Sequence, residues 1–257
     1  RLERAYIVDN RVSAEDGFAW FVDTLATGDT DNTALEFMGI HAGDGMINCT
    51  FAPAVESWEH WALVAHPSEG YFLYRNGVLE SGCSAETDDD PFAAEIMGIS
   101  GGVVVGSRWD LDTDTDKHFF NAVIDEFFFA PRFLSEDAVR ALAGQVPSPV
   151  PTISIAPTTV ESSAEVLMYF ENSLQNNGTG TDISDIVATG MTYSGTIVEQ
   201  GAYSADFNGH DNYLEFDIGD TDQDTYTFAF WCYFRGYGPR LERAYIVDNR
   251  VSAEDGF

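Results

Sequence analysis

The chain has 257 residues, 44% of them apolar and 14% aromatic, enough to bury a sizeable core. Its 43 acidic residues stand against 12 basic ones, a formal net charge of -31, and Lys117 is the sole lysine. Such a surface repels phosphate backbones and anionic lipid, so nucleic acid and membrane surfaces are excluded as expected partners, and no run is long and apolar enough for a transmembrane helix.

Residues 1–18 (RLERAYIVDNRVSAEDGF) return unchanged as residues 240–257. Self-similarity at a fixed period marks repeat proteins, and a period of 239 residues holds a whole domain rather than a solenoid unit. The expected reading is a window slightly longer than one period of a tandem array. The alternative is a recent duplication of a short end segment.

Taken in order, residues 18–23 (FAWFVD), 61–65 (WALVA) and 71–74 (YFLY) alternate with a period of two and predict strands. Asn76-Gly77 then predicts a hairpin, because both residues tolerate positive φ. Residues 98–102 (GISGG) fit G-x-S-x-G, but a nucleophile elbow needs a following helix, whereas Val103 to Val105 continue as a strand; the segment reads as a turn. Residues 134–143 (LSEDAVRALA) predict the one clear helix, with Ser135 as N-cap, Glu136 and Asp137 in the positive first turn, and Gly144 ending it. Residues 146–159 carry four of the nine prolines and no hydrophobic face, as an extended linker does. Tyr226, Phe228, Phe230, Cys232 and Phe234 form a last apolar row, in which Cys232 reads as a buried thiol packing like a small hydrophobe. The count is many strands and one helix, and a 239-residue period suits an all-β sandwich.

Residues 58–79 (WEHWALVAHPSEGYFLYRNGVL) resemble a signature of laminin-G-like, concanavalin A-like domains: tryptophan, histidine, valine-alanine, then a strand ending in asparagine-glycine. Residues 104–142 resemble that family's closing block. Residues 166–170 with Asn172 and Leu174, and residues 205–216 (ADFNGHDNYLEF), resemble its opening block, and residues 225–234 (TYTFAFWCYF) the strand that follows. The resemblance covers nearly the whole period in permuted order. It implies an all-β fold, an antiparallel jelly-roll β-sandwich of the concanavalin A type with one short helix, circularly out of phase with the chain. Residues 1–146 would be the later part of one such domain, residues 147–159 the linker, and residues 160–257 the opening part of the next. Because the family's first and last strands lie close together, residues 160–239 would either fold back onto residues 1–146 or complete a neighbouring copy. Either fold leaves one eighteen-residue copy without a slot of its own, and an unfilled edge strand is adhesive.

Hard oxygen donors at alternate positions of a loop suit calcium. Asp110, Asp112, Asp114 and Asp116 provide one such loop; Asp217, Asp220, Asp222 and Asp224 crowd another. The competing reading is a solvated acidic loop, since the glycine and bidentate glutamate of an EF-hand are missing. The resemblance adds Asp125, Glu126 and Asp211 as places for an ion or a structural polar contact. The acidity itself fits a saline habitat or the recruitment of divalent cations. Trp20, Trp61 and Trp109 are the candidate sugar-stacking rings, and Trp109, beside the acidic loop, is the one expected to be exposed. Asn48 and Asn177 head glycosylation sequons, with Asn177 in the more loop-like run. Cys49 and Cys83 are candidates for a pair, and none of the three cysteines has metal-ligand spacing.

No catalytic set emerges. The strand at Val123, Ile124, Asp125, Glu126 and Phe127 lacks the leading and trailing glutamates that glucanases on this fold use across the sugar. The five histidines are scattered, and His60 reads as a hydrogen-bonded core histidine. The expected function is therefore a non-catalytic structural or adhesive repeat of an extracellular or cell-surface protein, with neighbouring copies of itself as partners. The alternative is a calcium-dependent, lectin-like module that binds glycans.

Overall fold

The computed structural model describes residues 3–9, 18–25, 35–42, 45–49, 53–66, 70–80, 83–85, 102–107, 119–144, 164–180, 186–218, 225–236 and 244–250. The chain opens with β1 (Glu3–Asp9), β2 (Phe18–Leu25), β3 (Leu35–Ala42) and β4 (Gly45–Cys49). It continues through β5 (Trp58–His66), β6 (Gly70–Arg75), β7 (Val78–Leu79), β8 (Cys83–Ala85), β9 (Gly102–Val105) and β10 (Asn121–Ala130) to α1 (Glu136–Leu142). The remaining strands are β11 (Val166–Met168), β12 (Val187–Thr189), β13 (Thr192–Ser194), β14 (Ser204–Asn208), β15 (Tyr213–Asp217), β16 (Tyr226–Phe234) and β17 (Ala244–Arg250).

These strands form two sheets. Nine lie in the order β12-β15-β9-β17-β1-β2-β3-β4-β8; seven run β13-β14-β10-β16-β5-β6-β7, with β11 added on β10 as the eighth. Every described pairing is antiparallel except that of β1 with β17. The core lies between the sheets. Trp20, Val22, Val103, Val105, Leu214 and Phe216 from the first meet Trp61, Leu63, Phe127, Phe129, Phe228 and Phe230 from the second in one buried cluster. The fold is thus an all-β antiparallel sandwich, as the alternating runs imply. Strands on either side of the proline-rich segment share both sheets: β16 lies between β5 and β10, and β15 pairs with β9.

The hydrophobic pattern of β10 dictates its most irregular feature. Ala122 and Ile124 are core residues, and so are Phe127 and Phe129, so the inward parity switches from even to odd within one strand. A strand meets that demand only with an extra residue, and the register with β16 shifts between Asp125 and Phe128, where Glu126 adopts φ 50°. Asp125 is turned out of the sandwich interior but is fully buried.

The local signals read from sequence act as their chemistry requires. Asn76 and Gly77, at φ 51° and 74°, connect β6 to β7. The Ser135 hydroxyl accepts the Ala138 amide, Glu136 and Asp137 occupy the first turn of α1, and Gly144 follows at φ 66°. The helix lies over the outer face of the second sheet, where Ala138 and Val139 pack with Ala62, Val64, Phe128 and Ala229 in a second cluster.

Gly106, directly after β9, has φ 91°, and a Cβ there would sit 2.4 Å from Cδ1 of the buried Phe207. Gly106→Ala is therefore expected to destabilise the protein by about 2–4 kcal/mol, the sum of overpacking and positive-φ strain. Urea unfolding of the variant beside the parent checks this.

Candidate functional site

The duplicated segment occupies a defined position in the first sheet. One edge of β2 is taken by β3 and one edge of β9 by β15, leaving a slot between β9 and β2. β1 pairs with β2 through Ala5↔Val22, Tyr6↔Phe21, Val8↔Trp20 and Asp9↔Ala19. β17 pairs with the same four residues through Ala244, Tyr245, Val247 and Asp248, which are the same positions of the second copy. Both ladders shift register at the equivalent isoleucine, Ile7 in one and Ile246 in the other, and these two are partners in the parallel pairing. β17 also bridges to β9, through Val247↔Val105 and Arg250↔Gly102.

A strand edge has a single row of amide and carbonyl groups, so the free edge of β2 accepts one strand at a time. Two identical segments thus converge on one hydrogen-bonding position. Whichever copy leaves it keeps a complementary ladder with nothing to pair within its own chain, and such an edge is a template for association.

Asp125 forms a second, smaller constellation. Its Oδ1 accepts the Glu126 amide at 3.0 Å, and its Oδ2 accepts the Glu199 and Gln200 amides at 3.2 and 3.0 Å. Gln200 Nε2 donates to Glu126 Oε2 at 2.8 Å, and the Ala202 amide donates to both oxygens of Glu171 at 3.0 Å. Burial pushes the Asp125 carboxyl up from 3.8 to about 6; the three amides oppose that shift, and the nearby Glu171 charge adds to it. Both oxygens are thus committed to backbone donors. The arrangement pins the segment after β13 to the bulge of β10, a structural polar contact.

The other expected site residues separate. Asp211 is exposed in the turn between β14 and β15, where its carboxylate accepts Asn208 Nδ2 at 2.8 Å; it shares no hydrogen-bond partner with Asp125 among the described residues. Trp109, Asp110, Asp112, Asp114 and Asp116 lie outside the described residues, as do Asp220, Asp222 and Asp224, while Asp217 is exposed at the end of β15. Among the described residues no group of three or more His, Cys, Asp or Glu side chains is placed to hold a metal ion. No family model, curated protein or solved structure matches the chain. Trp20 and Trp61 are core residues, closed to a sugar ring.

Asn177 is exposed, with Nδ2 donating to the Gln175 carbonyl at 3.2 Å, and its sequon partner Thr179 donates Oγ1 to the Ala164 carbonyl at 2.9 Å. Asn48 is on β4, opposite Ser84. Cys232 is buried in the core cluster, where burial and then the Glu59 charge raise its thiol well above the ordinary value. His60, expected as a core histidine, is buried in the second sheet. The ring is buried edge-on to Trp231, at 5.3 Å between centroids, and its Nδ1 finds no partner among the described residues. Burial lowers its pKa to about 3, so it is neutral.

Several anchoring residues carried no signal in the sequence. Asn176 accepts the Leu167 and Gly178 amides at Oδ1 and donates to the Glu165 carbonyl, closing the turn after β11. Arg235 grips Asp206 with both guanidinium nitrogens, at 2.6 and 2.7 Å, tying the end of β16 to β14. In a chain this rich in Asn and Asp, only the fold distinguishes such a hub from an ordinary loop residue.

Proposed function

We propose that the chain is a non-catalytic structural repeat that associates with further copies of itself, head to tail, through exchange of the duplicated strand. The observation carrying this reading is that both copies of the eighteen-residue segment are registered on the same residues of β2. In a closed molecule one copy fills the slot and the other is left over. When residues 160–257 of one molecule complete residues 1–146 of the next, β17 enters the neighbour's slot and displaces the neighbour's β1. Repetition of that exchange builds a chain of domains with the same contacts as a covalent tandem array.

The net charge of -31 on every copy opposes random self-association, so the proposed association relies on backbone pairing at the slot. The laminin-G-like resemblance, with the jelly-roll topology it implies, suits an extracellular or cell-surface module. Fold alone does not assign a role, so the weight rests on the duplicated strand.

Light scattering after size-exclusion chromatography tests the proposal. Residues 1–257 are expected to form species at multiples of 28.3 kDa, with a population that grows with concentration. The shortened chains 1–239 and 19–257, each with one copy of the segment, are expected to remain monomeric. A strictly monomeric full chain across the concentration range overturns the reading.

A further inference from the structure

The three cysteines divide by position. Cys232 is enclosed in the sandwich core as a free thiol, on β16 of the second sheet. Cys49 and Cys83 belong to the first sheet, at the last residue of β4 and the first of β8. The antiparallel register sets Ile47 against Ala85, Asn48 against Ser84 and Cys49 against Cys83.

Directly opposed residues of an antiparallel pair share a face, with Cα atoms about 4.5 or 5.5 Å apart according to the hydrogen-bonding position. Both spacings fall within the roughly 4.4–6.8 Å that a disulfide spans. We propose that Cys49 and Cys83 form a cross-strand disulfide that fastens β8 to the sheet. Formation takes two thiols and a small-molecule disulfide such as oxidised glutathione. One cysteine thiolate attacks the small disulfide and releases a thiol; the second cysteine then displaces the other half, so that one protein S–S bond replaces the original S–S bond and two small thiols leave.

The position gives the bond a purpose. β8 is a three-residue strand at the end of the first sheet, paired only with β4 among the described strands. So short a ladder holds an edge weakly. The chain between the two cysteines runs through β5, β6 and β7 of the second sheet, so the bond closes a covalent loop that joins both layers of the sandwich. A bond at this site persists only in an oxidising compartment.

The test uses the full chain equilibrated in a glutathione redox buffer, then denatured and alkylated without reductant. Alkylation is expected at Cys232 alone, with all three cysteines labelled after reduction, and peptide mapping should recover Cys49 joined to Cys83. In Cys83→Ser, Cys49 should become alkylatable or carry a glutathione adduct. Labelling of all three thiols without reductant, a bridge that includes Cys232, or a bridge between two chains overturns the proposal. Any of these results leaves the assembly reading standing, since that reading depends on β1, β2 and β17.

Discussion

Phe127→Ala is expected to lower the unfolding free energy by about 3–5 kcal/mol, the range for deleting a large buried ring. Phe127 is fully buried on β10, the strand between β14 and β16. Its ring lies 5.8 Å from Phe216 across the sandwich and 6.2 and 6.1 Å from Phe228 and Phe230 on β16. Removal therefore opens a void facing both sheets, and aromatic neighbours fixed on strands cannot collapse into it. It also removes the first core residue beyond the bulge, which helps hold the switched parity of β10. Since native domains are stable by only about 5–15 kcal/mol, the variant should unfold at markedly lower urea, and a shift in midpoint at an unchanged slope is the measured sign. A loss below about 1 kcal/mol would show that β10 is not the centre of a packed core.

The second large effect concerns pH. Asp125 titrates near 3.8 in an unfolded chain and at about 6 in the folded protein, because burial disfavours its charge. The folded state therefore holds the proton more tightly. The stability that this preference lends is complete below pH 3.8 and falls as pH rises to about 6, then stays level. Asp125→Asn abolishes the ionisation, so the stability of the parent relative to the variant should decline by about 1–2 kcal/mol across that window, the exposed Glu199–Gln200 segment allowing solvent to screen the remainder. Paired urea titrations at pH 4, 5, 6 and 7 give the difference directly, and the difference cancels the background from the many other carboxylates. A difference that is flat with pH, or that grows as pH rises, would mean that the three backbone amides outweigh burial and hold the carboxylate charged.

Both predictions bear on the proposed assembly. The strand exchange needs a sandwich that holds its shape when β1 leaves the slot, and the second sheet, with β10 and β16 at its centre, does not depend on that strand. A variant weakened at Phe127 should therefore aggregate nonspecifically rather than extend the ordered series.

Much of the architecture was legible in the residues because it depends on local chemistry. The Asn76-Gly77 hairpin, the Ser135 cap and the alternating row from Tyr226 to Phe234 each follow from backbone sterics, an unpaired amide or a period of two, all confined to a few neighbouring residues. The duplication, too, is a property of the sequence, and so is the expectation that one copy lacks a slot. Tertiary structure alone decided which edge the two copies share, because the slot between β9 and β2 is built from segments about eighty residues apart in the chain, with β15, from beyond the proline-rich segment, on the far edge of β9. It likewise decided that Asp125 serves the Glu199–Gln200 backbone and that Cys49 is paired in register with Cys83, since hydrogen-bond partners and strand register are set by long-range pairing that no local pattern encodes.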